Sequence, residues 1–157
     1  MTDGRFVLTD SPDKQGDADL RTLRIRRCRG CVRCLTAHPG RCEIEDGFTG
    51  IIDAILGSNV LVIETSSEHG TVPDRVRKAV ERLSNILDAY TDCGGNVPLS
   101  IDSVALRRVD VVYRGEFGDR MESEIEGALR KGPVSDVTFI HGRWGPSTSV
   151  QGFDWKK

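Results

Sequence analysis

Apolar and polar positions along this chain follow two rhythms. Short runs of β-branched and other apolar residues alternate with longer stretches in which an apolar residue returns every third or fourth place. The first rhythm suits strands, the second amphipathic helices. Arg5-Phe6-Val7-Leu8-Thr9 reads as a first strand, and Leu20, Leu23 and Ile25 mark a weak second strand over Leu20–Ile25. Phe48, Ile51, Ile52, Ile55 and Leu56 form a one-sided stripe that predicts a helix, with Asp46 as N-cap and Gly57 as its stop. Asn59-Val60-Leu61-Val62-Ile63 has the pattern of a strand buried on both faces. After a loop, Glu64 to Gly70, the stripe Val72, Val76, Ala79, Val80, Leu83, Leu87, Tyr90 predicts the longest helix. Thr71 and Asp74 are spaced like a capping box there, with Pro73 in the first turn. Val109–Tyr113 reads as a strand, Met121, Ile125, Ala128 and Leu129 as a helix stopped by Gly132-Pro133, and Val137–Ile140 as a last strand. The tail 142–157, with Trp144 and Trp155, has no period; it either covers the domain's own edge or swaps onto a neighbour.

Strand, strand, then three helix–strand alternations predict one α/β three-layer domain over residues 1–157 with a mostly parallel five-stranded sheet. Only about a dozen residues separate the first two strands, too few for an ordinary crossover helix, so the first helix is expected to be missing or reduced. Composition agrees with a folded domain: 157 residues with 38% hydrophobic content can bury a core without staples. A net charge of −2 speaks against a dedicated nucleic-acid or anionic-membrane binder. No apolar run reaches the ~20 residues of a membrane helix, and no signal peptide is legible, which leads us to expect a cytoplasmic protein. The five cysteines then read as thiols or metal ligands rather than a disulfide framework.

Parallel sheets bind ligands beyond the C-terminal ends of their strands. Three loops qualify: Asp10–Asp17, Glu64–Gly70 and Arg114–Gly118. The first offers Ser11, Lys14 and Gly16, the group types of a phosphate cradle, but Asp13 and Asp17 would repel a phosphate. Residue chemistry alone favours a plain surface turn. His69 and Glu68 lie in the second loop, where solvent contact is the ordinary role. Cys28, Cys31, Cys34 and Cys42 are spaced C-x2-C-x2-C-x7-C. Compact runs of this kind ligate iron–sulfur clusters, four thiolates also suit tetrahedral zinc, and reduced buried thiols are the third possibility. Spacing favours a metal over inert thiols, and Arg26, Arg27, Arg29 and Arg33 are expected to lower the thiol pKa values. Cys93 stands apart as a packed or incidental thiol.

The segment from Cys28 to Arg82 resembles the flavodoxin-like NADPH-dependent FMN reductase family, including its iron–sulfur flavoprotein branch. The likeness runs through Cys28-Arg29-Gly30-Cys31-Val32-Arg33-Cys34, Pro39-Gly40-Arg41-Cys42, Glu45-Asp46, the following helix and strand, and Gly70 and Glu81-Arg82. Ser11-Pro12-Asp13-Lys14-Gln15-Gly16 looks like that family's phosphate loop. The resemblance implies a flavodoxin-like fold and an NAD(P)H-dependent reductase, or one served by another electron donor, that forms homodimers or homotetramers. It places FMN against Ser11, Pro12, Lys14, Gly16, Thr65, Ser66, Ser67, Glu68, His69, Gly70 and Gly115. It also implies a four-iron cluster on Cys28, Cys31, Cys34 and Cys42, with zinc as rival. The chain departs from the family pattern where Asp17-Ala18 replaces two donors to the phosphate and Ser66-Ser67-Glu68 replaces a Pro-x-Tyr. Pro73 and Arg77 likewise replace a serine and a lysine. The departures support an alternative: a flavodoxin-fold subunit without flavin that acts as a binding partner.

Overall fold

The structure is a computed structural model and describes residues 4–12, 15–67, 70–92, 95 and 97–142. Five strands form one sheet: β1 (Arg5–Thr9), β2 (Ala18–Asp19), β3 (Val60–Ser66), β4 (Arg108–Arg114) and β5 (Asp136–His141). Their order is β2-β1-β3-β4-β5, and every neighbouring pair is parallel. Three helices connect them: α1 (Thr49–Leu56), α2 (Asp74–Asp88) and α3 (Asp119–Leu129). A single 3-10 turn, Ile101–Ser103, precedes β4. This is the expected α/β arrangement of flavodoxin-like type.

The crossovers β2→β3, β3→β4 and β4→β5 all advance in the same direction across the sheet. Right-handed connections therefore place α1, α2 and α3 on one face. One core joins them to alternate strand residues, Phe6, Leu8, Leu61, Ile63, Val109 and Val111. The intervening residues Val62, Asp110 and Val112 are buried from the other side. Only the connection β1→β2 runs the opposite way, and its described residues, 10–12 and 15–17, hold no helix.

That bare connection relocates the second strand. The expected strand Leu20–Ile25 is not formed; β2 is the two-residue piece Ala18–Asp19, paired with Leu8 and Thr9. Asp17 makes the return possible. Its N–H donates to the Val7 carbonyl at 2.8 Å, and its carboxylate accepts from the Val7 N–H at 2.7 Å. After Leu20 N–H bonds the Thr9 carbonyl, Thr22 and Leu23 turn back onto Asp19, so the ladder ends there. Gly16 is needed at this crossing, because a Cβ would lie 2.7 Å from the Val7 carbonyl oxygen.

The other boundaries follow local chemistry. The N-cap position of α1 falls on Phe48, which makes no side-chain cap; Asp46, expected there, stands two residues earlier and accepts from the Thr49 N–H at 3.0 Å. The Thr71–Asp74 capping box does not form. Extended backbone at Pro73 (ψ 153°) starts α2 at Asp74 and leaves Thr71 outside, where its hydroxyl accepts from Arg77 instead. Glu64 to Ser66, expected in a loop, extends β3 by pairing with Val112 to Arg114. Among the described residues no helix is long and apolar enough to cross a membrane. Cys93, Trp144 and Trp155 lie outside the described residues.

Candidate functional site

Two places concentrate the candidate chemistry. The first is the crevice between β1 and β3, where the chain changes direction across the sheet. Asp10 follows β1 directly, and its N–H bonds the Glu64 carbonyl at 2.8 Å. Its carboxylate is fully buried and is paired with Arg75 Nε from the first turn of α2. Thr65 Oγ1 reaches the other carboxylate oxygen at 3.4 Å. Ser11 donates its N–H to Thr9 Oγ1, while its own Oγ is buried without a partner among the described residues. An unmade bond of that kind costs about 1–3 kcal/mol, so Ser11 marks an unusual spot.

Few of the expected FMN contacts are open. Lys14, Glu68 and His69 lie outside the described residues. Gly16 is packed against Val7 as described, and Pro12 is exposed at the surface. Thr65 is buried in the sheet, and Ser66 is half-buried. Ser67 is spent on the neighbouring loop, its N–H bonding the Arg114 carbonyl and its hydroxyl the Glu116 carbonyl. Gly115 is left-handed (φ 87°), and a Cβ there would stand 3.0 Å from the Ser67 carbonyl oxygen, so these two loops are zipped together. Gly70 (φ 79°) has open space beside it. Beyond this zip, Tyr113 stacks on Phe117 at 4.0 Å, and His141 meets Tyr113 edge-on. The described residues do not fit the phosphate of FMN: a carboxylate fills the strand-end position, the Ser11 amide is engaged, and no helix follows β1 to lend its N–H groups.

The second place is the segment 20–48, which wraps the outer side of α2. Its anchor is a buried ion pair. Arg82 Nη1 donates to Asp46 Oδ2 at 2.8 Å and to the Arg26 carbonyl at 2.9 Å; Nη2 donates to Thr49 Oγ1 at 2.8 Å. The two side chains are 1% and 0% exposed. Burial alone would raise the Asp46 pKa, but bonds from Arg82 and from the N–H groups of Arg26 and Thr49 outweigh it and hold it at about 2. Phe48 lies under the Arg82 guanidinium, 5.4 Å from its ring centroid.

On this anchor the four cysteines come together. Cys28, Cys31, Cys34 and Cys42 line one cavity of about 20 Å³ with Arg82, Asn85 and Ile86 of α2. That volume admits about one water molecule. Cys28 is the best held: its N–H donates to Glu81 Oε1 at 3.1 Å, and its sulfur accepts from Gly30 N–H at 3.3 Å and Asn85 Nδ2 at 3.2 Å. Cys34 Sγ sits 3.8 Å from the Asn85 carbonyl, and Cys31 is exposed. Left-handed backbone at Gly30, Val32 and Gly40 coils the loop tightly. For a β-branched residue such as Val32 that conformation is strained by about 1–3 kcal/mol. Among the described residues, no three His, Cys, Asp or Glu side chains already stand in a geometry that would share a metal ion. The donor set itself fits a thiophilic metal: four thiols on one cavity, two N–H groups aimed at sulfur, and a guanidinium beside Cys42.

The expected lowering of the thiol pKa values is not what Cys34 shows. Burial against α2 pushes its thiol up, and the neighbouring Cys28 and Cys42 add to the rise. Two of the loop arginines are paired with carboxylates: Arg33 with Glu43 at 2.8 Å and Arg27 with Asp74 at 2.7 Å. Arg29 of the loop lines the thiol cavity, and Arg82 joins it there from a different element and interacts with Cys42. Sequence reasoning missed Arg75 and Asn85, and it treated Arg82 only as part of a resemblance. A charged residue inside an apolar helical stripe, as Arg82 is between Ala79 and Leu83, was the available signal. Compared with known proteins, the chain matches no family model, and no curated protein matches it significantly.

Proposed function

We propose that this chain is a redox protein of flavodoxin-like fold that works without flavin, with a four-iron cluster on Cys28, Cys31, Cys34 and Cys42 as its electron-carrying centre. The observation that supports the reading best is the convergence of all four thiols on one cavity above α2, with hydrogen-bond donors directed at sulfur. Three cysteines two residues apart favour a cluster over zinc, whose structural sites are built from separated pairs. When bound, such a cluster supplies one-electron transfer at a potential tuned by hydrogen bonds to its sulfurs and by solvent exposure.

The chain's own residues would do the rest. Gly30 N–H and Asn85 Nδ2 stabilise negative charge on Cys28. Arg82 offsets charge at Cys42 and ties the loop to α2 through Asp46. The exposed Cys31 and Val32 put one side of the loop at the surface, where a partner protein can approach. The strand-end crevice takes no part.

The test is anaerobic purification and reconstitution, followed by iron, sulfide and zinc analysis of the wild type and of Cys31→Ser. Stoichiometric iron and sulfide in the wild type and their loss from the variant are expected. Zinc in place of iron, or iron retained by Cys31→Ser, would overturn the reading. Bound FMN released on heating would overturn its flavin-free part.

A further inference from the structure

Asp10 occupies the place in the sheet where a ligand is expected. It follows β1 at the boundary between β1 and β3, outside the strand ends, at the one point where the strand order reverses. A side chain with no solvent exposure there receives a guanidinium from α2 and lies within reach of a hydroxyl from the end of β3. A guanidinium and a hydroxyl are donors that recognise an oxyanion. Next to it the Ser11 hydroxyl is buried, 2% exposed for the whole residue, and has no partner among the described residues. We propose that Arg75, Thr65 and Ser11 form an oxyanion site, specific for a phosphate or carboxylate group, which this chain fills with its own Asp10 carboxylate.

Three features carry the assignment. Arg75 is 42% exposed while Asp10 is fully buried, so the guanidinium is the mouth of the site and the carboxylate its occupant. The Asp10 backbone N–H is fixed on the Glu64 carbonyl, which sets the residue at the strand end, and Arg75 and Thr65 hold its carboxylate there. Asp19 lies within electrostatic reach of Arg75, and its charge further disfavours a second anion while Asp10 is in place. The wild-type site is therefore closed to FMN phosphate by an internal competitor at very high effective concentration. The proposal is independent of the thiol loop, and iron content measured on the same samples shows whether either reading fails alone.

The test removes the competitor. Asp10→Gly deletes the carboxylate, and the full-length variant is titrated with inorganic phosphate, acetate and FMN, using sodium chloride at matched ionic strength as control. Melting temperature and calorimetric binding are the readouts. Wild type is expected to show no saturable response to any of the three. Asp10→Gly is expected to melt lower and to recover saturably with phosphate or acetate, binding at least tenfold tighter than wild type. Adding Arg75→Gln to that background should erase the recovery. If Asp10→Gly does not fold, Asp10→Ala carries the same binding measurement, since it also vacates the place of the carboxylate. Equal binding of phosphate or FMN to wild type and variant would overturn the proposal. So would a folded variant that responds to phosphate and acetate no more than to chloride, or recovery that survives loss of Arg75.

Discussion

Replacing Asp46 by Asn tests how the thiol loop is held to the sheet. The substitution keeps the shape of the side chain and removes its charge. In the native protein the carboxylate accepts four hydrogen bonds, from Arg82 Nη1 at 2.8 Å and Nη2 at 3.3 Å, Arg26 N–H at 2.8 Å and Thr49 N–H at 3.0 Å. Burial would raise its pKa, but these bonds depress it from 3.8 to about 2. At about 1.4 kcal/mol per pKa unit, a depression of that size stabilises the fold by roughly 2–3 kcal/mol at neutral pH. The sign follows from the folded-state pKa lying below the unfolded one. The contribution is fully present above pH 3.8 and is lost as pH falls through about 2. Asp46→Asn should cost more than this, about 3–5 kcal/mol, because it strands the buried Arg82 charge, whose Nε already lacks a partner. Urea unfolding at pH 7 gives the first number, and repeated unfolding between pH 6 and pH 2 gives the second. The wild type should lose about 2–3 kcal/mol over the acid limb, and the variant should lack that component. Arg82→Lys, which keeps the charge but not the fork, should fall between them. A variant within about 0.5 kcal/mol of wild type, or one with an unchanged acid limb, would refute the reasoning.

Two further outcomes follow from packing. Gly16→Ala places a methyl 2.7 Å from the Val7 carbonyl oxygen, so the β1–β2 crossing must shift. Overpacking of this kind costs about 1–3 kcal/mol, and an unchanged melting temperature would show that the crossing is looser than described. Leu83, 1% exposed in the centre of α2, should cost about 2–5 kcal/mol as Leu83→Ala in urea unfolding. That variant should still reconstitute the same iron content as wild type, since Leu83 lies outside the thiol cavity. Loss of iron in a folded Leu83→Ala would mean that the site depends on the sheet-facing side of α2.

Much of the fold could be read along the chain because its signals are local. The stripe from Val76 to Leu87 has the period of a helix buried on one side, and it is one. Val60 to Ile63 is apolar on both faces because α1 and α2 cover one side and Val62 is buried from the other. The short distance between the first strands announced the missing helix. Reading failed where a side chain replaced backbone periodicity. Asp17 mimics a ladder partner of Val7 and so shortens β2 to Ala18–Asp19, which no apolar pattern records. The capping box failed because Pro73 sits between Thr71 and the helix start, and backbone geometry overrode the spacing.

The division is sharpest at the two candidate sites. Spacing alone brought Cys28, Cys31 and Cys34 into one coil, since residues so close along the chain cannot separate far. That Cys42 joins them, and that Arg82 and Asn85 line the same cavity, required the loop to be pinned on α2 across 36 residues by Asp46 and Arg82. Asp10 and Arg75 are 65 residues apart and meet only because β1 and β3 are neighbours in the sheet and α2 starts beyond their ends. Hydrophobic periodicity is a property of neighbours along the chain, so the sequence by itself determined the three helices and every strand but β2. Ion pairs and buried hydroxyls depend on which strand ends are brought side by side, and the order of the sheet decided that.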